Sequence, residues 1–211
     1  MSETTETPPT RGPSKTDSIT GKIGIGIVVL LALIALVAVG TSGGSRGGSG
    51  GSGVETLSAS KPTSVSVPSI GAESSLIETG LKADGSLEVP SLQTPMQASW
   101  YDQSPTPGSL GPSVILGHVN GSGKPGIFYK LADTKAGDQI LVKREDGQTA
   151  VFTVSNVDTV PKAAFPSEMV YGDTPDAQLR LVTCGGIFDP AARSYEANVI
   201  VYANLTDVRP A

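Results

Sequence analysis

The sequence predicts a mainly-β domain, either a closed barrel or a sandwich, between about residues 62 and 205. Short apolar stretches alternate with turn residues there, and no stretch keeps an apolar helical period over four turns. Candidate strands recur at the spacing typical of those two folds. The 26 glycines, 16 prolines and 5% aromatic residues also favour a loop-rich β-protein.

Each candidate strand is a short apolar or alternating stretch bounded by turn residues. The eight stretches are residues 63–70, 75–79, 86–89, 112–118, 138–144, 148–159, 178–184 and 197–204. Asp84-Gly85 and Asp146-Gly147 are dipeptides that favour hairpin turns. We expect only short helices, at residues 126–133 and 166–171.

The part of the chain before this domain predicts a membrane anchor. Residues 23–40 form an uncharged apolar run, which as a helix would be roughly 27 Å long, close to the hydrocarbon thickness of a bilayer. Three basic residues precede the run and only one follows it closely, so the positive-inside rule places the N-terminus in the cytoplasm and the domain outside the cell. A cleaved signal peptide is the less favoured alternative.

These patterns divide the chain into five segments. They are a disordered cytoplasmic tail at 1–22, a transmembrane signal-anchor at 23–40, a flexible Gly/Ser linker at 41–61, the folded domain at 62–205 and a C-terminal tail at 206–211. The chain carries 15 Lys and Arg against 20 Asp and Glu, so no basic field favours nucleic acid.

The only cysteine, Cys184, ends the apolar run 179–184 and precedes Gly185-Gly186. A single cysteine cannot form an intrachain disulfide, and a free thiol in an exported domain is exposed to oxidation. A chemical role as a nucleophile accounts for its presence. The alternative is a small buried hydrophobic residue, since free cysteines are often buried.

The only histidine, His118, ends the apolar run 114–118 and precedes a glycine-rich loop. Its imidazole is suited to general acid and base catalysis near neutral pH. The alternative is a histidine that holds the loop by a structural hydrogen bond. If the protein is a cysteine-histidine enzyme, the sequence leaves no choice about which cysteine and which histidine react.

Arg193 follows Cys184 by nine positions and precedes the last candidate strand. A guanidinium stays charged and offers planar donors to an oxyanion, although an arginine in such a loop is usually a solvated surface charge. Asp102, Asp133 and Asp189 could each orient His118, and no spacing singles one out. No ligand-spaced motif indicates a metal, and no cofactor is expected.

The order of His118, Leu181-Val182-Thr183-Cys184 and Arg193 resembles that of the sortases, membrane-anchored cysteine transpeptidases of Gram-positive bacteria. The family motif before the arginine is T-L-x-T-C. Further similarity, above all to the short actinobacterial sortases of class F and then class E, lies at residues 62–70, 80–90, 100–101, 107–108, 114–119, 126–131, 137–138 and 198–203. Arg180 departs from the pattern, because the family often has Thr or Ser there.

The resemblance implies an eight-stranded sortase-type β-barrel with short helices, and with it a reaction. Cys184 would attack the Thr–Gly carbonyl of an LPxTG-like sorting signal to form a thioester, and Arg193 would stabilise the oxyanion. His118 would protonate the departing amine and deprotonate the incoming one. The implied partners are secreted proteins with a C-terminal sorting signal, and a peptidoglycan precursor or pilin amine as acceptor.

The segment 161–176 precedes the cysteine strand and is the expected wall of a peptide groove. Thr183 and several apolar residues of this wall are candidate contacts for the sorting signal: Ala163, Ala164, Phe165, Met169 and Val170. The alternative is a loop that packs its own apolar residues. Two other functions stay open, a related peptidase that uses water as acceptor and a non-catalytic, membrane-tethered binding module.

Overall fold

The computed structural model describes residues 54–211. The expected cytoplasmic tail, transmembrane segment and most of the linker, residues 1–53, lie outside the described residues. Within 54–211, no helix combines the length and the apolar character that a membrane span requires.

Eight strands close into a barrel in the order β1-β2-β3-β4-β9-β10-β8-β7, and two further strands, β5 and β6, form a small separate sheet. The strands are β1 Pro62–Val67, β2 Ala72–Thr79, β3 Ala98–Tyr101, β4 Gly111–Gly117, β5 Asn120–Gly121, β6 Lys124–Pro125, β7 Gln139–Arg144, β8 Gln148–Pro161, β9 Ala177–Asp189 and β10 Ser194–Pro210. The predicted mainly-β fold is therefore confirmed, and of the two predicted architectures it is the closed barrel.

Helices are short, as the sequence predicts. The α-helix α1, Ser167–Tyr171, falls within the predicted segment 166–171, and 3-10 helices cover Pro68–Ile70, Leu131–Asp133 and Lys162–Ala164. The predicted helix at 126–133 is reduced to the second of these turns, because Gly126 and Ile127 instead donate backbone hydrogen bonds to Val119 and Pro95.

Two strand predictions were wrong. Residues 86–89 form no strand and keep only one isolated bridge, between Leu81 and Leu87, because Asp84 accepts hydrogen bonds from Ser86 and closes a local turn. Strand β3 was missed because it is four residues long and its main partner, β2, lies about twenty positions earlier along the chain. The closed barrel needs β3 to join β2 to β4.

Three adjacent strands, β4, β9 and β10, are buried on both faces. In β9, Leu179 and Leu181 belong to the barrel interior, whereas Val182 belongs to a second cluster outside the barrel wall. This outer cluster comprises Val114, Leu116, Val170, Val182, Ile200 and Tyr202. Burial on both faces accounts for the apolar runs 114–116, 181–182 and 199–203 at the centre of these strands.

The folded domain extends beyond the predicted limits of 62 and 205 at both ends. Buried Arg144 donates hydrogen bonds to the carbonyl groups of Ser58 and Pro107, which ties the segment before β1 to the barrel. At the other end, β10 continues to Pro210, which pairs with Gln148. The composition of these two segments does not predict such contacts, because the segments take part mainly through backbone groups, which every residue carries.

Candidate active site

The parallel pairing of β4 and β9 sets the relative positions of the candidate nucleophile and base. The paired residues run in register from Gly111 and Ala177 to Leu116 and Val182. His118 and Cys184 each follow two positions after the last pair. Side chains two apart in a strand share a face, so Cys184 lies on the outer face with Val182. An extension of β4 by one residue would place His118 on the same face, with Leu116.

Cys184 is half-buried, and its neighbour on β10 is Asn198. Opposite residues of an antiparallel pair project from the same face, with their Cβ atoms about 5 Å apart. The Asn198 side-chain amide donates a 3.3 Å hydrogen bond to the carbonyl of Thr183. A polar amide therefore lies beside the thiol, and nothing in the sequence singles this asparagine out.

The two glycines after Cys184 allow β9 and β10 to approach each other. A Cβ on Gly185 would lie 2.6 Å from the Val199 side chain, and Gly186 has a left-handed φ of 75°. The pairing register with β10 slips by one residue between Tyr195 and Ala197. This β-bulge bends the hairpin directly after the nucleophile, and the close backbone contact is made with β10.

His118 is half-buried at the end of β4. Its Nε2 lies 2.6 Å from the carbonyl oxygen of Pro90, and its own carbonyl accepts a 3.0 Å hydrogen bond from the Phe128 amide. Within residues 54–211, no hydrogen bond joins the ring to any of the three aspartates considered as orienting groups. The group that contacts the imidazole is a backbone carbonyl.

Arg193 lies in the turn between β9 and β10, with a left-handed φ of 50°. Its side chain is exposed, and its guanidinium makes no hydrogen bond to the described residues. Five positions of β9 separate Cys184 from Asp189 at the start of this turn, a rise of about 16 Å in an extended strand. The register thus ends β4 and β9 side by side just before His118 and Cys184, and Arg193 lies at the end of the β9–β10 hairpin.

Arg180 shares the outer face with Cys184, but its side chain is already hydrogen-bonded to neighbouring residues of the fold. Its Nε donates to the Met169 carbonyl at 3.0 Å, and its Nη2 donates to Gln178 at 2.7 Å. The guanidinium also lies 4.8 Å from the Tyr202 ring centroid, and burial lowers the pKa of Arg180. Its donors hold α1 against the barrel wall, so this cation is not free for the reaction.

Two polar contacts of the β9–β10 hairpin were not predicted from the sequence. Lys162 is half-buried, and its ammonium donates a 2.7 Å hydrogen bond to Ser194 at the start of β10. The Asn120 amide donates a 2.6 Å hydrogen bond to the Tyr195 hydroxyl, which joins the loop after His118 to the same hairpin. Single polar residues in loops carry no recognisable spacing, so no pattern could have indicated them.

The predicted groove wall divides into exposed and packed residues. Ala163 and Ala164 are exposed, and Met169 is 56% exposed. Phe165 is half-buried against the outer cluster, and Val170 is fully buried within it. The predicted peptide contact at Val170 is thus corrected to a packing role in this structure, whereas the exposed residues are accessible.

Thr183 also differs from its predicted role. It is 4% exposed and alternates with Cys184, so it lies on the barrel-interior face with Leu181. Its hydroxyl is buried with no hydrogen-bond partner among residues 54–211. It lines a pocket of about 210 Å³ that Cys184, Gly185 and Tyr195 also line.

A larger cavity of about 440 Å³ lies over the outer face of β4. Val114 forms part of its floor, and Leu87 and Tyr171 form parts of its sides. Burial raises the pKa of Tyr171 to about 12, so this phenol stays neutral. The cavity shares its strand and face with His118, four positions further along.

Comparisons with known proteins agree with this architecture. The family model described as the sortase domain matches residues 65–206. No curated protein matches the chain. Among solved structures, a lid mutant of sortase A from Corynebacterium diphtheriae has a TM-score of 0.54 and 21% identity, over 70% of each chain.

Two further structures extend the comparison. Sortase A from Listeria monocytogenes has a TM-score of 0.54 and 16% identity, over 73% of this chain and 92% of its own. Sortase C from Streptococcus pneumoniae has a TM-score of 0.55 and 20% identity, over 72% and 70%. Since the family model covers well over half of the sequence, this chain belongs to the sortases, a family of cysteine transpeptidases.

Proposed function

We propose that this protein cleaves an LPxTG-like sorting signal between Thr and Gly and transfers the acyl part to an amine of the cell wall or a pilin. The observation that carries the proposal is the register of β4 and β9, whose last paired residues each lie two positions before His118 and Cys184. A thiol and an imidazole on neighbouring strands form the nucleophile and base that acyl transfer needs.

The thiolate of Cys184 attacks the scissile carbonyl, and the imidazolium of His118 protonates the departing glycine amine as the C–N bond breaks. The thioester that results keeps the acyl group reactive outside the cell. An incoming amine then attacks the thioester, and His118 accepts the proton that this amine loses. The thiolate is released, so the pair returns to its starting protonation state.

Arg193 supplies the cation for the oxyanion in this proposal. Its guanidinium has no hydrogen bond to the rest of residues 54–211, whereas the donors of Arg180 are occupied. The bulge and Gly186 lie between Cys184 and the turn, so the hairpin has a place to bend toward the thiol. Planar donors suit an oxyanion better than the point charge of Lys162.

The acyl half of the peptide lies on the outer face of β4, against the segment that carries Ala163, Ala164 and Met169. The exposure of these three side chains and the cavity over Val114 on the same face support this placement. The acyl half must stay bound while the leaving amine is exchanged for the acceptor, so a walled groove suits it.

We further propose a class F-like enzyme whose single N-terminal helix, residues 23–40, anchors it in the cell membrane with the catalytic domain outside. The apolar run, the basic residues before it and the actinobacterial sequence similarity support this topology and class. A pilin amine is one candidate acceptor, since the sortase C of Streptococcus pneumoniae has pilin substrate specificity.

Mass spectrometry of the full chain in detergent tests the function directly. Incubation with an LPxTG peptide should give a thioester adduct, and Cys184→Ala should abolish it. Transfer of the adduct to an added amine supports transpeptidation, whereas hydrolysis with every amine tried would indicate the peptidase. A protein that binds the peptide without an adduct would be the non-catalytic module.

A further inference from the structure

The His118 ring contacts a backbone carbonyl that the mechanism above does not use. Nε2 lies 2.6 Å from the Pro90 oxygen. A carbonyl oxygen can only accept a hydrogen bond, so Nε2 must carry the proton of this pair. In a neutral imidazole the other nitrogen, Nδ1, is then the unprotonated one.

The loop that carries Pro90 is fastened to the residues that follow His118. Pro90 is buried, the Ser122 hydroxyl donates to the Leu92 carbonyl at 3.0 Å, and the Ile127 amide donates to the Pro95 carbonyl at 2.9 Å. The Pro90 carbonyl therefore belongs to a loop that is hydrogen-bonded to the segment after His118, and these bonds limit its movement.

The backbone of His118 is held from the other direction. Its carbonyl accepts from the Phe128 amide at 3.0 Å. Gly126 passes so close that a Cβ there would collide with that carbonyl. With the His118 backbone held by these contacts and Nε2 held by the Pro90 carbonyl, rotation of the ring about its side-chain bonds is restricted.

We propose that the Pro90 carbonyl is the positioning group of the catalytic imidazole and fixes its Nε2–H tautomer, so that Nδ1 is the nitrogen that exchanges protons. The part about exchange rests on the proposed acyl transfer. The proton leaving the thiol binds to Nδ1, the leaving amine takes it from Nδ1, and Nε2 keeps its own proton throughout. The carbonyl takes the orienting place that an aspartate holds in a Ser-His-Asp triad.

The tautomer can be read without any assay of activity. His118 is the only histidine, so a ¹⁵N-histidine label on the full chain in detergent gives the two ring nitrogens of this residue alone. At a pH where the ring is neutral, we expect Nε2 protonated and Nδ1 unprotonated. A proton on Nδ1, or a mixture of tautomers, would overturn the proposal.

A single-atom change tests the positioning role. Replacement of Ser91 by its α-hydroxy acid converts the Pro90–Ser91 amide to an ester, which weakens the Pro90 carbonyl as an acceptor. The Ser91 amide makes no hydrogen bond within residues 54–211, so little else changes. We expect kcat for peptide cleavage to fall about five-fold with KM unchanged, together with a loss of the single tautomer.

The matched control is the same replacement at Leu92, which weakens the Ser91 carbonyl that accepts from Thr94. Equal losses in the two esters, or an unchanged tautomer in the Ser91 ester, would refute the role of Pro90. Failure of the unmodified enzyme to form a thioester would refute acyl transfer instead, and the label would still decide the tautomer.

Discussion

His118 and Cys184 each lie two residues beyond Leu116 and Val182, which are the last residues to pair between the parallel strands β4 and β9. Neighbouring strands lie about 4.8 Å apart, so side chains on one face at one level can meet. Parallel strands are joined only by long connections, which is why residues 66 positions apart in the chain share one site.

Removal of the Arg193 side chain should affect the reaction and spare the fold. We expect Arg193→Ala to lower kcat/KM about 100-fold at unchanged urea stability, because the side chain is exposed and unbonded in the described structure. Arg180→Ala is the matched control and should lower the free energy of unfolding by about 2 kcal/mol. Full activity of Arg193→Ala would contradict this role and make Lys162 the next candidate for the cation that stabilises the oxyanion.

Gly126→Ala should disturb the base, because the added methyl group has to displace the His118 backbone. We expect about ten-fold lower kcat and a loss of about 1–3 kcal/mol of stability from overpacking. Steady-state kinetics and urea unfolding measure the two effects. Lys124→Ala, an exposed change in the same loop, should leave both unaltered; wild-type behaviour of Gly126→Ala would show that the loop yields without moving the ring.

Val170 and Met169 are neighbours with opposite environments, so they separate packing from peptide binding. Val170→Ala should cost about 2 kcal/mol in stability because its side chain is fully buried. Met169→Ala should change stability by less than about 0.5 kcal/mol and raise KM for the sorting peptide. Unchanged KM in Met169→Ala would remove this residue from the groove.

The ion pair of Arg144 and Asp146 should make stability depend on acid. The hydrogen bond from Arg144 lowers the pKa of Asp146, so its contribution is fully present above the unfolded pKa of about 3.9. It is lost as the pH falls through the lower folded pKa. Asp146→Asn should therefore lower the urea midpoint at pH 7. The difference in urea midpoint from wild type should narrow as the pH falls below about 4.

Asp133→Asn is the control for this measurement, because Asp133 is exposed and its carboxylate bonds to no cation within residues 54–211. The urea midpoint of Asp133→Asn should stay close to that of wild type at every pH. If the difference in urea midpoint between Asp146→Asn and wild type were the same at pH 7 and pH 3, the ion pair would contribute no stability that depends on protonation of Asp146.

Part of the site was predictable because β4 and β9 are buried on both faces and their central sequences are mostly apolar, although Arg180 interrupts β9. The two stretches are followed by His118 and Cys184, which are the only histidine and the only cysteine of the sequence. The orienting group of His118 was not predictable. Every residue carries a carbonyl, so only the path of the loop decides that Pro90 supplies it.

The mainly-β fold followed from strand periodicity, the only thiol and imidazole from the residues themselves, and the family from the resemblance of the ordered motifs. The remaining features depended on how the chain folds. The tertiary structure set the register of β4 and β9, buried Val170 in the outer cluster, turned Thr183 toward the barrel interior, and used the donors of Arg180 to hold α1. Those outcomes depend on backbone hydrogen bonds between distant segments, which are chemically alike at every residue and become distinct only once the barrel has closed.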